Sequence, residues 1–182
     1  MPENNDIKFG TDGWRAVIGD TYTFRNVKIV SQAVADYLGQ GKKVAVGYDT
    51  RFMSAQFAKA VSEVLAANGI AVILSDKAIP TPALSFIVRH NRLDLGIMIT
   101  ASHNPAEYNG FKIKASSGGA AGPEITQAIE RLLGSYPVKE TASEAANISE
   151  KDLTAGYIKF IRNYIDFKAI KNQRFKVLVD AM

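Results

Sequence analysis

Six residues, Thr100-Ala101-Ser102-His103-Asn104-Pro105, follow directly on the apolar run Leu95 to Ile99. A hydroxyl on the rim of a strand, beside an imidazole and in a loop stiffened by Asn104 and Pro105, suits chemistry better than packing. Ser102 could attack a carbonyl, or it could carry a phosphoryl group. An acyl-transfer enzyme on a layered α/β fold is expected to show Gly-x-Ser-x-Gly at a strand-to-helix elbow, and both glycines are missing here. His103 is the next residue in the chain, an awkward place for a base that must come within about 3 Å of the serine oxygen it activates. These two features speak against a hydrolase triad. The plainer alternative, that Ser102 and Asn104 only cap a loop through side-chain to backbone bonds, stays open at this level.

Two further stretches carry chemistry. Gly10-Thr11-Asp12-Gly13-Trp14-Arg15 places two glycines around a turn that ends in arginine. Backbone donors in such a turn, with a guanidinium fork, suit a phosphate, although an ordinary loop would use the same residues and Trp14 reads as a packing residue. Asp49-Thr50-Arg51 follows the short apolar run Val44 to Gly47. Open α/β sheets bind ligands beyond the carboxyl ends of their strands, so this trio and the serine loop could share a crevice; the trio could equally be a turn with an internal ion pair. Neither a P-loop nor a dinucleotide fingerprint is present.

The elements that must position these residues follow from periodicity. Val27, Val30, Val34, Tyr37 and Leu38 share one helical face, with Thr23 placed to cap and Gly39 to stop it. Val44 to Gly47 reads as a buried strand. Phe57, Ala60, Val61, Val64 and Leu65 predict a helix ended by Asn68-Gly69. Ile70 to Leu74 is strand, and a helix runs from Thr81, as cap, with Pro82 in its first turn, to about His90. Leu95 to Thr100 is a fully buried strand. This alternation predicts crossover units on a sheet covered on both faces. Phe111 to Lys114 reads as a strand whose two lysines suggest a sheet edge, and Pro123 starts a helix with Ile125, Ile129, Leu132 and Leu133 facing the core. Residues 134–149 read as a surface connection, Leu153, Tyr157, Ile158, Ile161 and Ile165 as a last apolar stripe, and Phe175 to Val179 as a buried strand.

Composition narrows the function. The 182 residues contain no cysteine and two histidines, which removes thiol catalysis and thiolate metal sites. A divalent ion would have to be held by oxygen, which suits magnesium better than zinc. The net charge of +4 has no long basic block behind it, so nucleic-acid binding is not expected. No apolar run reaches the eighteen or so residues of a membrane span, and residues 1–8 are too polar for a signal peptide. A cytoplasmic domain is the expectation.

Phe9 to Arg15, Asp49-Thr50-Arg51, Thr100 to Pro105 and Asn109-Gly110-Phe111-Lys112 stand in the order and spacing of the first domain of the alpha-D-phosphohexomutases. The chain resembles this phosphoglucomutase and phosphomannomutase family over essentially its whole length. The resemblance implies an α/β fold, a three-layer α/β/α domain with a mixed, mostly parallel sheet. It implies that Ser102 is a phosphoserine that passes its phosphoryl group to a hexose monophosphate, forms a hexose 1,6-bisphosphate, and recovers phosphate from the other position. Catalytic roles would fall to Ser102, His103, Lys112 and Arg15, with Lys112 as acid/base and His103 as a helper. Thr11, Arg15, Asn104 and Lys112 would bind substrate or phosphate. Magnesium would contact the phosphate on Ser102, its other ligands being aspartates of a second domain.

By the same likeness, residues 1–150 are expected to form the first domain, and residues 151–182 the end of its helix and the first strand of a truncated second domain. The remaining domains of the polypeptide would then be partners, and the chain alone nearly silent. Hexose phosphates are the expected substrates, glucose and mannose ahead of glucosamine. A non-catalytic sugar-phosphate binding module with the same fold is the alternative.

Overall fold

The computed structural model describes residues 7–140 and 147–180. Its elements in chain order are β1 (Trp14–Val17), α1 (Phe24–Leu38), β2 (Lys43–Tyr48), α2 (Ser54–Ala67), β3 (Ala71–Ser75), α3 (Thr81–His90), β4 (Leu95–Ile99), β5 (Tyr108–Ala115), α4 (Pro123–Arg131), β6 (Ile148–Lys151), α5 (Thr154–Tyr164) and α6 (Phe167–Lys171). The strands form one sheet in the order β1-β5-β4-β2-β3-β6. β4, β2, β3 and β6 are mutually parallel, while β5 runs antiparallel to both β4 and β1. The sheet is therefore mixed and mostly parallel, as expected.

Alternation along the strands builds two cores. Val44, Val46, Val72, Leu95, Ile97, Ile99, Phe111 and Ile113 pack with Val27, Val30 and Val34 of α1, Phe57, Val61 and Leu65 of α2, and Ile129 of α4. On the opposite face Ala45 and Met98 pack with Ala83, Leu84, Ile87 and Val88 of α3 and with Leu153 at the start of α5. Successive strand residues point to opposite faces, so β2, β3 and β4 serve both cores. The result is three layers, α1, α2 and α4 on one side of the sheet and α3 and α5 on the other.

Local signals account for most boundaries. Thr23 accepts from the Asn26 N–H and caps α1, whose C-cap is Gly39 at φ 77°. Tyr37, however, turns away from the core face and is exposed. In α3 the N-cap is Pro80, not Thr81, and Thr81 and Pro82 occupy the first turn. β5 is not an edge strand: it lies between β1 and β4, and Lys112 and Lys114 are buried because a carboxylate reaches them, as described below. Residues 134–149 hold the start of β6, which pairs with β3; residues 141–146 lie outside the described residues.

The C-terminal stripe is buried only in part. Leu153 is buried, Tyr157 and Ile161 are half-buried, and Ile158 and Ile165 are exposed, because α5 packs along α3 by one side only. Residues 175–179 form no strand, and Phe175, Val177, Leu178 and Val179 are exposed. An extended apolar segment needs a neighbouring strand to satisfy its backbone groups, and no described strand pairs with it.

Candidate active site

β2 and β4 are neighbours in register, Tyr48 opposite Ile99, and the Asp49 N–H continues the ladder to the Ile99 carbonyl at 3.1 Å. Parallel neighbours end on the same side of a sheet, so Asp49-Thr50-Arg51 and Thr100 to Pro105 emerge together. Ser102 is exposed and has φ 58°, a left-handed conformation that β-carbon sterics disfavour. Its N–H donates to Thr100 Oγ1 at 2.9 Å. Arg51 reaches across from the β2 end: its Nη2 donates to the carbonyls of Ser102 at 2.9 Å and Asn104 at 2.6 Å, and its Nη1 to those of Pro105 at 2.7 Å and Tyr108 at 3.0 Å. Both readings of Asp49-Thr50-Arg51 are therefore met, since Arg51 Nε also lies 3.3 Å from Asp49 Oδ2.

Asp49 gathers four donors. Its Oδ1 accepts from the Arg51 N–H at 3.0 Å and from Ser54 Oγ at 2.8 Å, and its Oδ2 accepts from Thr100 Oγ1 at 2.5 Å besides pairing with Arg51. Ser54 Oγ in turn accepts from the Asn109 side chain at 2.9 Å, which ties the start of α2 to β5. Gly110, next in β5, approaches so closely that a β-carbon there would lie 2.6 Å from the Thr100 carbonyl. Beneath it the buried Tyr22 donates to the Gly110 carbonyl at 2.9 Å. Burial, with the Asp49 charge adding to it, pushes the Tyr22 phenol well above its usual range, so it remains a neutral donor.

The N-terminal motif joins from β1. The turn closes with a bond from the Gly10 N–H to the Gly13 carbonyl at 3.0 Å, and Gly13 has φ 102° and no room for a β-carbon, which would lie 2.6 Å from the Phe111 carbonyl. Trp14 is buried and stacks on Tyr22 with ring centroids 4.8 Å apart, a packing residue as expected. Arg15 stands opposite Gly110, and its Nη1 donates to Asn104 Oδ1 at 2.9 Å. This bond fastens the serine loop from the side opposite Arg51. Thr11 is exposed in the turn, and His103 is exposed beside Ser102.

Asp12 supplies the remaining electrostatic feature. Its Oδ2 accepts from Lys112 Nζ at 2.5 Å and its Oδ1 lies 3.4 Å from Lys114 Nζ. Burial alone would raise its carboxyl, but the Lys112 hydrogen bond and the charges of Lys114 and Lys112 outweigh it and hold Asp12 below the usual carboxylate range. One carboxylate thus faces two buried ammonium groups, a local excess of positive charge suited to an anionic ligand.

The sequence-predicted residues assemble in part. Ser102, Asn104 and Arg15 share one loop network, and Lys112 is held by Asp12 on β5. Sequence reasoning did not single out Asp12, Lys114 and Thr100 as site residues, and it left the link from Arg51 to the serine loop as one option of two. The signal for Lys114 was present in the spacing of Lys112 and Lys114, which read as an exposed edge.

Residues 6–137 match the family model described as phosphoglucomutase/phosphomannomutase, alpha/beta/alpha domain I. A phosphoglucomutase of Staphylococcus saprophyticus is 38% identical over 172 residues, covering 87% of this chain and 30% of the relative. A phosphoglucosamine/phosphogalactosamine mutase of Sulfurisphaera tokodaii is 34% identical over 175 residues, covering 94% and 38%. Among solved structures, a Thermus thermophilus protein provisionally assigned as a phosphomannomutase superposes with a TM-score of 0.82 at 40% identity, covering 91% of this chain and 37% of that one. The chain spans about a third of the length of these relatives.

Proposed function

The chain belongs to the phosphoglucomutase/phosphomannomutase family as its α/β/α domain I, and from that premise we propose that the intact protein moves a phosphoryl group between C1 and C6 of a hexose phosphate with Ser102 as carrier. The observation that carries this reading is Ser102 itself: exposed, left-handed, and held at its own carbonyl and N–H by groups from two strand ends.

In the proposed step the bond from phosphorus to Ser102 Oγ breaks as a bond to a sugar hydroxyl oxygen forms. The sugar hydroxyl loses a proton and Ser102 Oγ gains one, so the phosphoryl count is unchanged. Transfer of so charged a group is helped chiefly by alignment and fixed positive charge. Arg15 and Lys112 are proposed to supply that charge, with Lys112 also carrying the proton. Asn104 and Thr11 are proposed phosphate or substrate contacts, and His103 a helper in the loop. The product of the first transfer would be a hexose 1,6-bisphosphate that reorients before giving phosphate back.

Magnesium fits this chain only as one contact. No three carboxylate, imidazole or thiol groups cluster to hold a metal among the described residues, and Asp12 and Asp49 are already engaged by cations. The described residues do not form a magnesium site by themselves, and the contact we propose the chain contributes is a phosphate oxygen on Ser102. Remaining domains of the polypeptide are the proposed source of the other ligands, and this chain alone is expected to turn over little. Among the described residues no helix is long and apolar enough to cross a membrane; a cytoplasmic site of action is part of the proposal.

Glucose and mannose phosphates are the proposed substrates, with hexosamine phosphates the competing class because several relatives carry that name. A coupled assay of the full-length protein on glucose 1-phosphate, mannose 1-phosphate and glucosamine 1-phosphate, with intact mass on Ser102, tests this. Turnover with phosphate on Ser102 is expected. Absence of turnover on all three with an unmodified serine would leave the non-catalytic sugar-phosphate module in its place.

A further inference from the structure

Arg51 lies in a site suited to phosphate, yet its guanidinium does not face a ligand. Four of its N–H bonds go to the carbonyls of Ser102, Asn104, Pro105 and Tyr108, and Nε faces Asp49. Guanidinium has five N–H donors, so this set commits all of them inward. The side chain is 15% exposed, which leaves it under the loop and not on its surface.

A second line runs from the same carboxylate. Asp49 Oδ2 accepts from Thr100 Oγ1, and Thr100 Oγ1 accepts from the Ser102 N–H. Ser102 is thus gripped at its carbonyl by Arg51 and at its N–H by Thr100, and both grips are anchored on Asp49. A non-glycine residue in the left-handed region persists only where its surroundings over-determine it. These bonds do so here. Since trans peptides set N–H antiparallel to C=O, and no cis peptide bond occurs among the described residues, holding the Ser102 carbonyl also turns the His103 N–H away from Arg51.

We propose that Arg51 and Thr100, joined through Asp49, are positioning residues that set the backbone of Ser102 for phosphoryl transfer, and that Arg51 is not itself a phosphate ligand. The inference rests on the proposed role of Ser102 as phosphoryl carrier.

The test uses the full-length protein and the pair Thr100→Val, which nearly preserves volume while removing the hydroxyl, and Thr100→Ser, which keeps the hydroxyl and loses a methyl, with Arg51→Lys as a third variant. Single-turnover phosphorylation of Ser102 by a hexose 1,6-bisphosphate is followed by intact mass, alongside steady-state kcat and KM. Thr100→Val is expected to slow Ser102 phosphorylation and kcat by about 10- to 100-fold with KM within about threefold, the pattern of a lost transition-state alignment. Thr100→Ser should stay within about threefold of wild type. Arg51→Lys should lose about 100-fold in kcat, since an ammonium offers three donors from one point and not a planar fork. Equal rates for Thr100→Val and wild type, equal losses in the valine and serine variants, or a raised KM with kcat intact would overturn the proposal. Should wild type take no phosphate, the carrier reading fails, and positioning is then read from hydrogen exchange at the Ser102 amide. Exchange at least about tenfold faster in Thr100→Val than in Thr100→Ser supports it, and equal exchange overturns it.

Discussion

Lys112 Nζ lies 2.5 Å from Asp12 Oδ2, joining residues a hundred positions apart on β5 and in the turn before β1. The lysine side chain is 5% exposed and the aspartate 38%, so the pair closes over a charge the sheet would otherwise bury alone. Lys114, 9% exposed, shares the same carboxylate. Burying an unpaired ammonium is costly, which explains how two lysines can stand in the middle of a sheet.

Asp12→Asn removes the charge that both lysines face. Breaking one side of a fully buried pair typically costs about 3–5 kcal/mol. Asp12 is partly open to water, which screens the interaction, so a loss of about 1–3 kcal/mol is expected. Urea unfolding of wild type and variant at neutral pH measures it, and an unchanged midpoint would show the contact to be energetically idle.

The same carboxylate makes stability depend on acid. Asp12 is held below its ordinary value of 3.8, so the stability it contributes is fully present above that value and is lost as pH falls through its lowered folded value. The gap between wild type and Asp12→Asn should therefore be full at pH 6 and shrink as the pH drops below about 3.8. Unfolding midpoints for both proteins across that window check the sign; a gap that widens toward acid contradicts the assignment.

Lys112→Met keeps the length and apolar stem of the side chain while Asp12 retains Lys114 as partner. In the full-length protein kcat should fall by about 10²- to 10⁴-fold, the range of a lost proton carrier, with unfolding stability changed by less than about 1 kcal/mol. Activity and urea midpoints measured together decide it. Comparable losses in both would reduce Lys112 to a structural residue.

Gly110→Ala places a methyl 2.6 Å from the Thr100 carbonyl and 3.0 Å from that of Trp14. Both are backbone atoms, so the strands and not a side chain must yield. A loss of about 1–3 kcal/mol is expected, as for other overpacked sites, together with faster amide exchange in residues 100–105. Exchange confined to β1 would show that the strain is relieved on the other side.

Much of the layered fold was legible because its signals are local. Leu95 to Ile99 is an unbroken apolar run in β4, and Val27, Val30 and Val34 recur at helical spacing in α1, so each pattern names its element without reference to anything distant. β5 was misplaced for the opposite reason. Lys112 and Lys114 alternate with Phe111 and Ile113 as on a half-exposed strand, and only the arrival of Asp12 from another part of the chain makes their burial tolerable. The apolar residues of α5 and of 175–179 show the converse: periodicity reports what a segment could bury, while exposure depends on whether another element reaches it.

What the sequence determined by itself is the chemistry and its inventory: an unusual serine loop at a strand end, basic residues at set spacings, no thiol, and alternating elements for a covered sheet. Tertiary structure alone decided how those residues act on one another. The ordering β5-β4-β2 sets the ends of β4 and β2 side by side, so that Arg51 can collect three carbonyls of the serine loop and that of Tyr108 at the start of β5, and Asp49 can anchor both Arg51 and Thr100. Hydrogen bonds and ion pairs act over about 3 Å, whereas their partners here stand some fifty to a hundred residues apart, a separation that only the folded sheet removes.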